Sequence, residues 1–318
     1  MTENGRHSSP VAHGFAHLET VRAAVTALFR TLSPDGIRAY GTSFAAADAA
    51  FGPEEDLHLG AQRVASAMVR ALRLPDARVV VAFRPMRDAA TVELAAGPEY
   101  FVEVNDRFRV HRRDLAAALA HEVTHVLLHR LDLRFPTTAE NEILTDTAAA
   151  FLGAGWLLLD AYREDALTHQ KLGYLTPEEF GYVLARRAAF FGEDPSPWFT
   201  SPQAYEAYLR GRALAGRERR RAPLAAAGRP ARWRYARDRR AGTPAADGSA
   251  YSFERHRGTA GTGTATGTEA ATGATAATGT GLRVSFPCPV CGQRLRLPVR
   301  GPLRARCGLC GTVLECDT

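Results

Sequence analysis

The sequence predicts an α+β protein, in which a mostly helical domain with a small sheet is followed by a flexible linker and a small cysteine module. Apolar residues recur at helical spacing in several long stretches, which is typical of helices that bury one face. Three short segments between residues 78 and 104 have strand character. Near the C-terminus, four of the five cysteines form two Cys-x-x-Cys pairs, a spacing that favours metal binding over disulfides.

The spacing of apolar residues predicts the order of helices and strands before the linker. The residue that should begin the third long helix is Asp114, a favourable capping residue. The strand at residues 101–105 alternates in polarity and could bind an extended peptide by edge addition. Helices are predicted at residues 15–32, 57–74, 114–131, 139–162 and 176–191, and strands at residues 78–83, 90–94 and 100–104.

Composition divides the chain into four segments, and positive charge is concentrated in one of them. Of the formal charge of +6, residues 210–240 contribute +10 through twelve arginines and two acidic residues, so the rest of the chain sums to −4. Trp233 and Tyr235 could stack on nucleic-acid bases there, although a solvated spacer is the favoured interpretation. The segments are a main domain (1–212), a basic and disordered segment (213–257), a Gly/Thr/Ala linker that cannot bury a core (258–281) and the cysteine module (282–318).

The cellular location is predicted from the lengths of the apolar segments and from the composition of the N-terminus. The longest apolar run, residues 148–159, is shorter than the roughly 18 residues that a membrane helix needs. The first twelve residues are polar and contain no apolar signal-peptide region. Together with the metal-type cysteine spacing, this predicts a cytoplasmic protein without a membrane span.

A His-Glu-x-x-His motif lies inside the third long helix. His121 and His125 are four residues apart, so both project from one helix face and could bind one Zn²⁺. Glu122 could then take a proton from a metal-bound water. His129 lies eight residues after His121, about 80° away from that face, and is not a predicted ligand. The alternative interpretation of the motif is a pair of histidines packed on a half-buried helix.

The next helix contains Asn141, Glu142 and Asp146, in the pattern Asn-Glu-x-x-x-Asp. With the preceding motif, this pattern resembles the gluzincin metallopeptidases, the thermolysin-like clan of zincins, and above all their minimal bacterial domains. The resemblance covers residues 115–159. Leu128 and Leu131 stand where metzincins would need Gly and His, which excludes that neighbouring clan.

The resemblance implies a zincin-like fold and a catalytic zinc bound by His121, His125 and Glu142. It further implies that Glu122 is the general base and that Asp146 hydrogen-bonds a ligand histidine from behind. Glu140 remains a rival to Glu142, which could instead be an ordinary glutamate at a helix start, as Asp146 could be a surface acid.

Gluzincins often use a later His or Tyr to stabilise the oxyanion. In this chain His169 is the favoured candidate for that catalytic role, and Tyr174 and Tyr182 are alternatives. The substrate implied by the resemblance is a protein or a peptide.

The two cysteine pairs predict one structural Zn²⁺ with four thiolate ligands. Cys316 is left over as a spare thiol. The module resembles a zinc ribbon with rubredoxin-like knuckles, and metal binding should supply its folding energy because so short a segment has almost no core. Its arginines fit contact with nucleic acid, contact with a protein partner or a solvated surface. The ligands are Cys288, Cys291, Cys307 and Cys310, and the arginines are Arg283, Arg294, Arg296, Arg300, Arg304 and Arg306.

The favoured hypothesis is a cytoplasmic zinc metallopeptidase whose zinc ribbon recruits a substrate or a partner. The alternative is a nucleic-acid-associated or adaptor protein that works through the basic segment and the ribbon. In that case the two metal-site helices would form a non-catalytic zinc scaffold.

Overall fold

The computed structural model of the chain describes residues 11–52, 54–165, 169–241, 250–255 and 281–318. These residues form an α+β structure with small sheets and fall into two compact units, Met1–Ala215 and Gly216–Thr318. The predicted linker at residues 258–281 lies outside the described residues except for Gly281. Among the helices that the structure describes, none combines the length and apolar character that crossing a bilayer requires.

The first unit contains seven α-helices and most of an eighth, α8, among its described residues, with a three-stranded sheet and a two-stranded one. The helices are α1 (Leu18–Arg38), α2 (Ala46–Ala49), α3 (Leu57–Ala71), α4 (Leu115–Arg130), α5 (Thr138–Leu152), α6 (Gly155–Asp160), α7 (Pro177–Phe191) and α8 (Pro202–Arg219). The strands are β1 (Arg78–Arg84), β2 (Ala90–Glu93), β3 (Glu99–Asn105), β4 (Arg163–Glu164) and β5 (His169–Gln170).

The three-stranded sheet has the order β1-β3-β2, so β3 is its central strand. β3 runs parallel to β1 and antiparallel to β2, with Val102 opposite both Val81 and Val92. The predicted alternation of this strand is present, with Val102 and Val104 fully buried. The prediction that residues 101–105 bind a peptide by edge addition is wrong, because both edges of β3 are already paired. Among the described strands, β1 and β2 each have one unpaired edge in this sheet.

Helix α4 is buried on nearly all sides, since every residue from 115 to 124 is buried. It packs against α3, α5, α6 and β2. Asp114 does not cap this helix as the sequence predicts, since its side chain makes no capping hydrogen bond. Its carboxylate instead accepts hydrogen bonds from Arg163, at 3.0 and 3.1 Å, and from Gln170 Nε2 at 2.7 Å. A buried ion pair with a distant strand has replaced the local cap.

Helix α5 begins at a capping box between Thr137 and Glu140 and ends at Gly153. The single helix predicted over residues 139–162 is therefore wrong, because Gly153 adopts φ 118° and separates α5 from α6. A Cβ at this position would lie 3.0 Å from the Cα of Ser43, so only glycine fits both the backbone conformation and the space.

The last turn of α5 is held from α7 by the buried side chain of Arg187. Its Nη1 donates to the carbonyl oxygens of Phe151, at 2.8 Å, and Tyr40, at 2.9 Å. Its Nη2 forms an ion pair with Glu193 at 2.9 Å. This arginine satisfies a helix C-terminal carbonyl and joins α5, α7 and the segment after α1.

The second unit contains a helix and two sheets in its described part. The elements are α9 (Arg229–Ala241), β6 (Ser252–Arg255), β7 (Leu282–Pro287), β8 (Arg294–Pro298), β9 (Pro302–Arg306) and β10 (Val313–Asp317). The sheets have the orders β6-β7-β8 and β9-β10, and all their pairs are antiparallel.

Within the segment predicted to be disordered (213–257), the structure instead contains α9 and β6. Tyr235 is buried against Tyr251 and Phe253, with ring centroids 4.9 and 5.3 Å apart. Leu224 forms a bridge with Cys316 of β10. A few aromatic contacts distant in sequence thus order a segment whose apolar residues are too sparse to show a helical period.

Candidate functional site

Helices α4 and α5 bring His121, His125 and Glu142 to one point. Nε2 of His121 lies 3.0 Å from Nε2 of His125 and 3.0 Å from Oε2 of Glu142. The remaining distance, from His125 Nε2 to Glu142 Oε2, is 3.4 Å. These atoms form a nearly equilateral triangle, and the three residues are a candidate metal site.

The triangle fits a tetrahedral metal ion. Bonds of about 2.0–2.1 Å place neighbouring ligand atoms of such a site about 3.3 Å apart. The donor set of two imidazoles and a carboxylate is also one that binds divalent transition metals. Three ligands leave a fourth position for water or substrate.

Asp146 orients His121 from the side opposite the metal position. The side chain of Asp146 is fully buried, and its Oδ1 accepts the Nδ1 proton of His121 at 2.8 Å. Its Oδ2 accepts the backbone N–H groups of Tyr174 and, at 3.0 Å, of Leu175. With the proton of His121 on Nδ1, the Nε2 lone pair points to the metal position.

The loop that reaches Asp146 passes so close that a glycine is required. Gly173 has φ +81°, and a Cβ there would lie 2.6 Å from Oδ2 of Asp146. Lys171 closes the same turn by donating from Nζ to the carbonyl oxygens of Gly173 and Leu175 at 2.8 and 3.0 Å.

Thr145 supports His125 as Asp146 supports His121, and it is not among the predicted site residues. The hydroxyl of Thr145 donates to the carbonyl of Asn141 at 2.9 Å and lies 3.2 Å from Nδ1 of His125. Because its proton is engaged, Thr145 Oγ1 accepts from His125 Nδ1, which again leaves Nε2 as the ligand atom. A Thr one residue before Asp146, on the buried side of α5, is the signal that could have indicated it.

The other two polar residues at the start of α5 have structural roles. Asn141 accepts the N–H of Phe135 at 2.7 Å and donates to the carbonyls of Phe135 and Thr137 at 2.7 and 2.8 Å. Glu140, the rival ligand, accepts from the backbone and hydroxyl of Thr137 within the capping box. The structure therefore places Glu142, and not Glu140, in the site.

Glu122 lies beside the two histidines, buried to all but 6% of its surface, and lines the cleft in front of them. Burial raises the pKa of its carboxyl group, and the nearby His121 and His125 partly oppose that rise. His129, by contrast, is exposed near the end of α4, as its angular position predicts.

The cleft has a volume of about 530 Å³ and contains all three candidate ligands on its wall. Tyr174 lines it, with its ring stacked at 6.0 Å between centroids on that of His121. Tyr182 is fully buried and accepts a hydrogen bond from Arg186 at 2.6 Å, and it does not line this cleft. The side chain of His169, the favoured oxyanion candidate, lies outside the described part of the chain, although its backbone belongs to β5.

The four cysteines of the C-terminal module converge on a second candidate metal site. Sγ of Cys288 lies 3.7 Å from that of Cys310, and Sγ of Cys291 lies 3.6 Å from that of Cys307. Metal–sulfur bonds of about 2.3 Å give about 3.8 Å between sulfurs at a tetrahedral site. All four are buried, so the coordination is closed to a substrate.

Each pair of cysteines sits in a tight turn that glycine completes. Gly292 and Gly311 have φ angles of 79° and 72°, and each donates its N–H at 2.9 Å to the carbonyl of the first cysteine of its pair. Cys316 is buried in β10 outside the cluster, as predicted for a spare thiol.

Comparison with known proteins adds no relative to this description. No protein-family model, no curated protein and no solved structure matches the chain. The two candidate metal sites therefore rest on their own geometry.

Proposed function

We propose that the first unit is a zincin-like, zinc-dependent metallopeptidase of the gluzincin type, and that the second carries a structural zinc ribbon. The observation that supports this most is the convergence of His121, His125 and Glu142 next to Glu122 in an open cleft. The support of His121 by Asp146 fits the same proposal, because hydrolytic zinc sites need histidines of fixed tautomer.

Each group in the cleft has a role in hydrolysis. His121, His125 and Glu142 would hold Zn²⁺, which would supply a Lewis acid able to lower the pKa of a water toward neutrality. Glu122 takes the proton of the attacking water and passes it to the leaving amine. Tyr174, which lines the cleft, is proposed to donate a hydrogen bond from its hydroxyl to the developing oxyanion.

The substrate is proposed to bind as an extended strand along β2. Residues Ala90, Thr91 and Val92 of this strand line the cleft. Among the described strands, β3 is the only partner of β2, so the other edge of β2 is free to pair with a peptide backbone. An edge strand beside the metal site would hold a peptide bond over it.

The test is hydrolysis of a quenched fluorescent peptide library by the full chain loaded with zinc. Glu122→Gln keeps the shape of the side chain but removes the base, and we expect turnover to fall by at least about 10²-fold. Bound zinc should remain at two ions per chain. Glu206→Gln, an exposed change of the same type, should leave turnover unchanged.

The same experiment separates the proposal from the non-catalytic scaffold. If wild type binds two zinc ions and hydrolyses none of the peptides, or if Glu122→Gln is as active as wild type, the mechanism is wrong. A wild-type chain that binds one zinc, lost only on Cys→Ser substitution, would remove the catalytic metal altogether.

A further inference from the structure

One face of α9 is formed almost entirely by arginine. At 100° per residue, four arginines and a tryptophan fall within an arc of about 140°, together with the small side chain of Ala236. They extend over about 16 Å of helix, since each residue rises 1.5 Å. All five are exposed, and they are Arg229, Arg232, Trp233, Arg237 and Arg240.

The opposite face of α9 fixes the helix to the rest of the second unit. Tyr235 is buried against Tyr251 and Phe253, and Asp238 accepts a hydrogen bond from Tyr251 Oη at 3.0 Å. Arg239 donates to the carbonyl of Thr318 at 3.1 Å. Asp238, the only acidic residue of α9, also accepts hydrogen bonds at Oδ1 from Nε and Nη2 of Arg237, both at 3.1 Å. Arg237 is therefore partly neutralised, and the arginines stand on an anchored helix.

Trp233 interrupts the arginines with an apolar ring that is 62% exposed. The guanidinium of Arg237 lies over this ring, with its Cζ 5.5 Å from the ring centroid. Such a cation–π contact holds an indole in place beside the charge. An exposed aromatic ring held among cations is a surface on which an unpaired base could stack.

We infer that the arginine face of α9 binds single-stranded nucleic acid, with arginines on the phosphates and Trp233 stacked on an unpaired base. Phosphate contacts by arginine and stacking on an aromatic ring are the two parts of such a surface. The charge of the second unit also favours a polyanionic ligand. Its described residues include 17 arginines and five acidic residues, a balance of +12, whereas the remainder of the chain sums to −6.

Other anionic partners fit this face less well. A helix that lies on a membrane buries an apolar face in the lipid, whereas here Trp233 is the only apolar residue among the five and Tyr235 is already buried in the protein. A duplex offers phosphates but no unstacked base for Trp233. The inference does not depend on the chemistry of the first unit.

The experiment is fluorescence anisotropy with labelled dT20, labelled rU20 and a 20-base-pair duplex, titrated with the full zinc-loaded chain. Arg229→Gln/Arg237→Gln/Arg240→Gln should weaken single-strand binding at least about tenfold and lower the slope of log K against log salt by about 2, since each lost phosphate contact contributes about 0.7. A control that removes three exposed arginines of the first unit should leave that slope unchanged. The control is Arg38→Gln/Arg84→Gln/Arg109→Gln.

Trp233→Ala tests the stacking part separately. It should weaken binding to single strands by about tenfold, leave the salt slope unchanged and not affect the duplex. Binding of either single strand supports the inference, and the tighter of the two identifies the sugar. Zinc content and circular dichroism must match wild type, which is expected because all the substituted side chains face solvent.

Three results would overturn the inference. The first is that no oligonucleotide binds at low salt, and the second is that duplex and single strand bind equally while Trp233→Ala has no effect. The third is that polyglutamate, added at the same total charge as the oligonucleotide, abolishes binding. Capture by phosphatidylserine vesicles without oligonucleotide binding would instead identify a membrane surface.

Discussion

Replacing Asp146 by Asn tests whether this carboxylate supports the metal site from behind. Asp146 accepts hydrogen bonds at both oxygens, from Nδ1 of His121 on one and from the backbone of Tyr174 and Leu175 on the other. Asn has one oxygen and one NH₂ group. Its NH₂ must therefore face either the histidine or the two backbone donors, and whichever it faces loses its acceptor.

The size of the effect follows from which contact is lost. Loss of the contact to His121 should weaken zinc binding about 10–100-fold, as is typical for such partners of ligand histidines. Loss at the loop leaves buried N–H groups unpaired, at about 1–3 kcal/mol each. For a domain of this size, each 1 kcal/mol lowers the melting temperature by about 2–4 °C.

Two measurements distinguish these outcomes. Zinc affinity is measured by competition with a chromophoric chelator, and the melting temperature is measured with excess chelator so that metal binding does not contribute. Asp35→Asn is the control, because the side chain of Asp35 is 93% exposed. If Asp146→Asn keeps both its zinc affinity within twofold and its melting temperature within 1 °C, roughly the error of such assays, the assigned role of Asp146 is refuted.

Two further substitutions test the loop and the second unit. Gly173→Ala should lower the zinc affinity of the first unit, because its Cβ would displace the Asp146 carboxylate; Gly192→Ala has a similar φ of +79° with no atom within 4 Å and should cost only backbone strain. Unchanged affinity in the first variant, or an equal loss in both, would contradict the close contact. Cys291→Ser should remove one zinc ion per chain and unfold the second unit, as followed by metal analysis and limited proteolysis, whereas Cys316→Ala should keep both ions. Retention of two zinc ions in Cys291→Ser would exclude the four-cysteine site.

The candidate metal ligands could be predicted from the sequence because they lie at short, helical spacing along the chain. His121 and His125 share a helix face by their spacing, and Glu142 and Asp146 do so by theirs. Thr145 was missed because a hydroxyl that supports a histidine looks like any helical threonine. The position of Tyr174 on the cleft wall could not be predicted, since the approach of its loop to α5 depends on tertiary packing.

The fold was predictable to the level of its elements but not of their connections. The strand at residues 100–104 was found, but its central place depends on the parallel pairing with β1, which no local pattern encodes. The break at Gly153 was missed because apolar residues continue on both sides of it. In α9, arginine content indicated a solvated chain, and the buried ring of Tyr235 decided otherwise.

Helix α5 is held at both ends, by Asn141 at its start and by Arg187 at its last turn. Its position is therefore preorganised by contacts that involve no metal, and the entropy of assembling the first site is lost when the polypeptide folds. The four sulfurs of the cysteine module lie instead in two tight turns between short strands. We therefore expect the two centres to differ thermodynamically: an ion entering the first should find a completed receptor, whereas an ion entering the second should contribute to the folding of the chain around it.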